Sequence, residues 1–281
     1  MKATTILKLE DPKTLVIHGD GRDVLRSMHP CKEPGHPPFG PIDLFFTDPP
    51  FNIGYGYKEL KDTVDGFQYL NQLVEIMCGG LWVLRDGGTM VLNVSCEVAF
   101  NVYPFIMGMT TTFDVTFRHD CIWHYRFGQC HTGGFISSHV HCLVFVKGDM
   151  DKRTWNPDAI MVPSDRATKY HDKRTVNKKD GTPDGMRVPL DVFEFSRIQG
   201  NNKERHNPDI HPNQLPEAYV ERIIKAFTHP GDIVLDTYAG SGTIGCVARA
   251  LGRRSINVEV GQDTAASCAA RIKAGPINVK V

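Results

Sequence analysis

The chain has 281 residues, 41% of them hydrophobic, and 32 acidic against 32 basic side chains. This excludes a disulfide-stapled miniprotein and a disordered chain, and points to one large domain carrying an insertion. Zero formal net charge excludes a polycation, so contact with nucleic acid would have to come from a local basic patch.

No stretch reaches the roughly 18 apolar residues of a membrane span. Residues 1–10 hold no apolar signal-peptide core, and the eight cysteines follow no repeated spacing. The expectation is a cytoplasmic protein with reduced thiols and no membrane partner.

Short strand-like runs alternate with amphipathic helical runs, the pattern of a mainly parallel sheet flanked by helices. Leu15–Ile17 is a buried strand that ends in His18-Gly19-Asp20, and residues 23–28 fit a short helix. Residues 30–41 (PCKEPGHPPFGP) form a proline-rich loop, because proline lacks the N–H that helix and sheet need. Ile42–Phe46 is a strand stopped by Pro49 and Pro50, and residues 54–66 follow as a loop. Phe67, Leu70, Leu73, Val74, Met77 and Leu81 recur at helical spacing. Asp86-Gly87-Gly88 reads as a turn before a strand over 89–94, with a helix over 98–107 and strands over 121–125 and 140–146. Residues 148–207 are polar and basic. Pro216 opens a helix to about Phe227, followed by strand 233–235, helix 243–251, strand 255–258 and helix 265–273.

Two segments carry chemistry. In Val234–Gly245 (VLDTYAGSGTIG) a strand runs through a glycine turn into a helix. Glycines let the backbone turn tightly and approach a ligand, and N–H groups at the helix start can hold an anion. Gly240, Gly242 and Gly245 also spell the dinucleotide pattern G-x-G-x-x-G, so a nicotinamide dehydrogenase is a rival reading. Asp236 stands before the glycines, where it would repel a pyrophosphate and attract an ammonium. Glu259 ends the next strand, where a carboxylate can bind both hydroxyls of a ribose.

The second segment is Thr47-Asp48-Pro49-Pro50-Phe51. Asp48 follows an apolar strand, at the strand end where open α/β sheets bind ligands. A carboxylate beside a rigid carbonyl can accept both hydrogens of one exocyclic amine, and Phe51 can stack on the base that carries it. A base within a duplex reaches such a pocket only by flipping out. A proline-stabilised turn capped by Asp is the plain structural alternative.

Together these segments resemble the amino-directed DNA methyltransferases, specifically their permuted beta group, in which a catalytic half precedes a target-recognition region and a cofactor half. Residues 15–25 (LVIHGDGRDVL) resemble the strand that meets the cofactor's adenine, and 43–54 (DLFFTDPPFNIG) the catalytic motif. Residues 86–94, 121–125 and 138–147 resemble later motifs of the catalytic half. Residues 211–216 (HPNQLP) with 221–224 (ERII) resemble the helix before the cofactor core at 231–259. The resemblance covers most of 13–147 and 207–273. It departs at Phe51, where the family usually has Tyr, at Leu215, where it usually has Lys, and in a longer 30–41 loop.

The resemblance implies a Rossmann-like α/β fold that uses S-adenosylmethionine, with an inserted target-recognition region. It divides the chain into a catalytic half (1–147), that insert (148–207) and a cofactor half (208–281). Asp48, the Pro49 carbonyl, Pro50 and Phe51 would hold the target amine, of adenine N6 rather than cytosine N4, because Asp heads the motif. Asp236, Gly240, Gly242 and Thr243 would hold the methionine part, Glu259 the ribose and Asp20 the adenine. The expected partner is double-stranded DNA in the nucleoid; the resemblance leaves room for a homodimer and a cognate restriction endonuclease. A catalytically silent relative would show a broken turn or loop, and neither is broken.

Between Arg166 and Arg187, Arg166, Lys169, Lys173, Arg174, Lys178, Lys179 and Arg187 outnumber Asp172, Asp180 and Asp184. This suits phosphate contacts, with Asn177, Gln199, Asn201 and Asn202 able to read base edges. His119, Cys121, His124, Cys130, His131, His139, His141 and Cys142 crowd one stretch, but they lack the paired ligand spacing of a zinc site. They are read as core and surface residues, with no metal.

Overall fold

The computed structural model describes residues 3–28, 41–56, 62–128, 132–176 and 182–279. Nearly all of the proline-rich loop, the middle of the 54–66 loop, and Cys130, His131, Lys178 and Lys179 lie outside these residues.

In chain order, β1 (Thr4–Glu10) and β2 (Lys13–His18) form an antiparallel pair. Next come α1 (Gly21–Met28), β3 (Ile42–Thr47), α2 (Gly66–Val83), β4 (Leu84–Val94) and α3 (Cys96–Thr112). β5 (Val115–His124) and β6 (His139–Lys147) follow. The polar stretch holds short pieces: β7 (Val162–Pro163), α4 (Asp165–Thr168), β8 (Met186–Arg187) and β9 (Val192–Glu194). The chain continues with α5 (Glu217–Phe227), β10 (Ile233–Asp236), α6 (Thr243–Ala250), β11 (Arg254–Glu259) and α7 (Gln262–Ala274).

Nine strands form one sheet in the order β1-β2-β11-β10-β3-β4-β6-β5-β9. The run from β2 to β4 is parallel, and β6 is antiparallel to both β4 and β5. The mainly parallel sheet expected from the sequence is therefore present. The late strand β11 pairs with the early strand β2, from Ser255 opposite Thr14 to Glu259 opposite His18. A permuted motif order requires such a junction.

Side chains alternate across a strand, and β3 uses both faces. Phe45 packs with Leu25, Leu73 and Met77 on the α1–α2 face. Leu44 and Phe46 pack with Tyr219, Ile223 and Val247 on the α5–α6 face. Burying each such side chain is worth roughly 1.5–3 kcal/mol. On α2, a Cβ at Gly80 would come within 2.1 Å of the Phe45 ring, so glycine lets helix and sheet approach there.

Three features depart from the sequence reading. β1 is not foreseen: its inward residues, Leu7 and Leu9, alternate with Lys8 and Glu10 along a sheet edge and give a weak apolar signal. β9 joins the main sheet through Phe193, the buried residue of its three. Asp86-Gly87-Gly88 is not a free turn but an irregularity inside β4, where the register jumps from Ile42–Leu84 to Leu44–Thr89. Gly87 has φ +73, and a Cβ there would meet the Lys152 carbonyl at 2.4 Å.

Candidate active site

β3 leads into β4 on one side of the sheet and β10 leads into β11 on the other, while β3 and β10 are neighbours. Their shared C-terminal end is a topological switch point, the place where open α/β sheets bind ligands. A cavity of about 560 Å³ opens there, lined by Asp48, Pro49, Pro50 and Phe51 after β3 and by Asp236, Gly240 and Thr243 at and after β10. Glu259, Trp123, Tyr125, Arg197 and His211 complete much of its wall. The Thr47 and Thr237 hydroxyls, 3.1 Å apart, tie the two strand ends together.

Asp48 is held from behind. Asn93 Nδ2 donates to Asp48 Oδ1 at 2.7 Å, and Tyr219 Oη donates to Asn93 Oδ1 at 3.0 Å. Tyr219 is fully buried and stacks on Trp123, with ring centroids 5.1 Å apart. Burial pushes the Asp48 carboxyl up to about 7, against the pull of the Asn93 hydrogen bond. Tyr69 Oη donates to the Pro50 carbonyl at 2.7 Å and fixes the turn from the α2 side. The chain beyond Phe51 is anchored by buried Asp62, whose carboxylate accepts N–H bonds from Asn52, Ile53 and Tyr55 at 2.8, 3.2 and 2.8 Å. These bonds help hold Asn52 at φ +57.

On the opposite wall, Asp236 is almost fully buried and accepts the Tyr238 N–H at 3.0 Å. Burial first, then the charges of Asp48 and Glu259, push its carboxyl well above the usual carboxylate range. Glu259 accepts the N–H groups of Gly240 at 2.8 Å and Gly261 at 3.0 Å. Burial pushes the His211 imidazole down to about 4, so it adds no positive charge at neutral pH. Among the described residues, Arg197 is the only Lys or Arg on the wall, and it lies over the Tyr125 ring at 5.2 Å. The wall carries five acidic side chains, Asp48, Asp62, Glu97, Asp236 and Glu259, which suit a cationic ligand better than a pyrophosphate. Such a ligand would also draw the raised carboxyls of Asp48 and Asp236 towards ionisation. An ammonium and a sulfonium, both present in S-adenosylmethionine, fit that field.

The glycines have separate causes. A Cβ on Gly240 would come within 2.2 Å of His211, and one on Gly245 within 2.2 Å of Asn257. Gly242 has φ +78 and faces Cys268. Gly240 lines the cavity, and Gly242 approaches Cys268 of α7. Thr243 lines the cavity while its hydroxyl is drawn inward, accepting from Arg271 Nη1 at 2.7 Å and facing the Leu215 carbonyl at 3.3 Å. Leu215, where a Lys was expected, is buried in the apolar cluster and serves this corner through its backbone.

Asp20 does not line the cavity. Arg22 grips its carboxylate in a bidentate pair at 3.0 and 2.5 Å. Arg166, Lys169, Lys173 and Arg174 do not line it either. Arg166 and Arg174 both pair with Asp172, and Lys169 pairs with Asp165, which reduces the free positive charge of this stretch. Sequence reasoning missed Asn93, Tyr219, Arg197 and Arg271. Asn93 left one signal, a polar residue inside the apolar run of β4.

Arg271 braces the glycine loop. It donates to Ser241 Oγ and Thr243 Oγ1, and its Nη2 pairs with buried Glu217 at 3.1 Å. Replacing Arg271 with Leu strands a buried carboxylate. The expected cost is about 3–5 kcal/mol of stability in urea unfolding; an unchanged midpoint would contradict this role.

The fold and the cavity define an α/β protein with a ligand site at its switch point. The family described as DNA methylase, of the N6/N4 type, matches residues 42–269. The type II methyltransferase M.HpaI of Haemophilus parainfluenzae is 34% identical over 225 residues, covering 79% of this chain and 65% of that protein. The DNA adenine methyltransferase YhdJ of Escherichia coli K12 is 30% identical over 251 residues, covering 88% and 79%. The PvuII cytosine-N4-specific DNA methyltransferase structure superposes with TM-score 0.62 at 18% identity over 94% of this chain and 86% of that one, a likeness of fold. The chain belongs to the N6/N4 DNA methylase family.

Proposed function

We propose that the protein transfers a methyl group from S-adenosylmethionine to the N6 amine of an adenine flipped out of duplex DNA. The observation that carries this reading is the single cavity with Asp48 on one wall and Asp236 and Glu259 on the other. S-adenosylmethionine, when bound, supplies a methyl group already activated by its sulfonium. Asp236 would face the ammonium and Glu259 the ribose. Asp48 and the Pro49 carbonyl accept the two amine hydrogens and aim the nitrogen lone pair across the cavity. Phe51 and Tyr125 offer faces for the base. Positioning of this kind contributes more than a strong base would.

The head residue of the motif, Asp48, favours adenine, as does the name of the Escherichia coli relative. Cytosine N4 is the second reading, favoured by the shared fold with the PvuII enzyme. Incubation with unmethylated duplex DNA, followed by nucleoside analysis, separates them: N6-methyladenine is expected, and N4-methylcytosine would change the base.

Residues 148–207 are the proposed target-recognition part, with Lys173, Lys178, Lys179 and the paired Arg166, Lys169 and Arg174 reaching phosphates. A cognate restriction endonuclease, a homodimer and a place on the nucleoid extend the same proposal. Among the described residues, no helix is long and apolar enough to cross a membrane.

The Asp48 carboxyl sets an expected pH profile. Below about 7 it is mostly protonated in the free protein, and above it becomes the acceptor that the amine requires. The ratio kcat/KM for DNA, which reports free-enzyme groups, should rise with pH through about 7. Asn93→Ala removes a hydrogen bond to the carboxylate and should move that rise to higher pH. A rise left in place or moved lower would contradict the positioning role of Asn93.

A further inference from the structure

Antiparallel pairing of β4 with β6 sets Val94 opposite His141. The chain then passes Ser95, the N-cap of α3, and places Cys96 in the first turn of that helix beside β6. His139 and His141, two apart on a strand, share one face, and their ring centroids are 5.2 Å apart. Cys96 Sγ and one nitrogen of each histidine all lie within 4.8 Å of one another. In a tetrahedral zinc site, with bonds near 2.0–2.3 Å, ligand atoms stand about 3.5 Å apart. Side-chain rotations would have to close that difference.

His141 carries an independent sign. Its Nδ1 lies 2.9 Å from each carboxylate oxygen of Asp120, and its Nε2 is buried with no hydrogen-bond partner. The carboxylate holds the proton on Nδ1 and leaves the Nε2 lone pair for a metal, as in carboxylate–histidine–zinc triads. One thiolate and two imidazoles form a donor set suited to zinc rather than to magnesium or calcium. Cys96 and His139 also line the cavity.

We propose that Cys96, His139 and His141 bind a zinc-class divalent cation at the rim of the active-site cavity, with Asp120 orienting His141 and a fourth position open to water. Sequence spacing does not reveal the site because Cys96 lies outside the histidine-rich stretch and reaches it only through strand pairing. The inference does not rest on methyl transfer.

The test is titration of the chelator-treated full chain with Co(II), then displacement by Zn(II). One equivalent should bind with a thiolate-to-cobalt charge-transfer band. Cys96→Ser should abolish the band, and exposure of Cys96 should leave the fold intact by circular dichroism. His139→Gln should weaken binding at least tenfold and decides the matter if the serine variant does not fold. Asp120→Asn should weaken binding by about 10–100-fold, and Cys78→Ser should change nothing. No band, or a band that persists in Cys96→Ser and His139→Gln, would overturn the proposal.

Discussion

Asp48→Ala is expected to lower kcat for methyl transfer by about 10³-fold or more, with binding of S-adenosylmethionine changed less than a few-fold. Removing one preorganised hydrogen-bonding group from an active site typically costs 10²–10³ in kcat, and here Asp48 would orient the attacking nitrogen itself. Asn93 also loses the acceptor of its 2.7 Å bond. Cofactor binding is spared because its expected contacts come from the β10 and β11 ends. Calorimetric titration and single-turnover kinetics on one preparation separate the two effects. Transfer within tenfold of the parent chain would remove Asp48 from the reaction.

Asp236→Asn is expected to act on the other wall. The amide oxygen can still accept the Tyr238 N–H, but the charge facing an ammonium is gone. Truncating one partner of a buried, hydrogen-bonded charge pair costs about 2–5 kcal/mol, so cofactor Kd should rise on the order of 10²-fold. The ligand-free protein should respond in the opposite sense. A carboxyl whose folded pKa is raised destabilises the fold increasingly as pH climbs from its unfolded value towards its folded one. Near neutral pH the Asn variant should therefore be more stable than the parent to urea. A site in which binding and stability pull apart in this way has given up stability for function. Loss of both together would mean that Asp236 is only structural.

Much of the site was legible because strand ends and prolines leave strong local marks. Asp48 lies between an apolar strand and two prolines, and Asp236 between a strand and a glycine turn, and both face the cavity as the sequence suggests. The pairing of β11 with β2 followed from motif order. What local pattern could not supply was long-range partnership. Gly242 fits a ligand-loop pattern, but its place is fixed by Cys268, twenty-six residues later. Asn93 and Tyr219 lie far apart in the chain and meet only because α5 packs on the β3 and β4 face. β1 and β9 each contribute few buried side chains, so their apolar periods were too short to read.

The central claim, that this cavity moves a methyl group onto DNA, is tested most directly by incubating the purified chain with methyl-labelled S-adenosylmethionine and unmethylated duplex DNA. Label is expected to accumulate in the DNA, with one S-adenosylhomocysteine released per methyl transferred, and to be lost in Asp48→Ala. Tight binding of the labelled donor with no label entering DNA of any sequence would contradict the account.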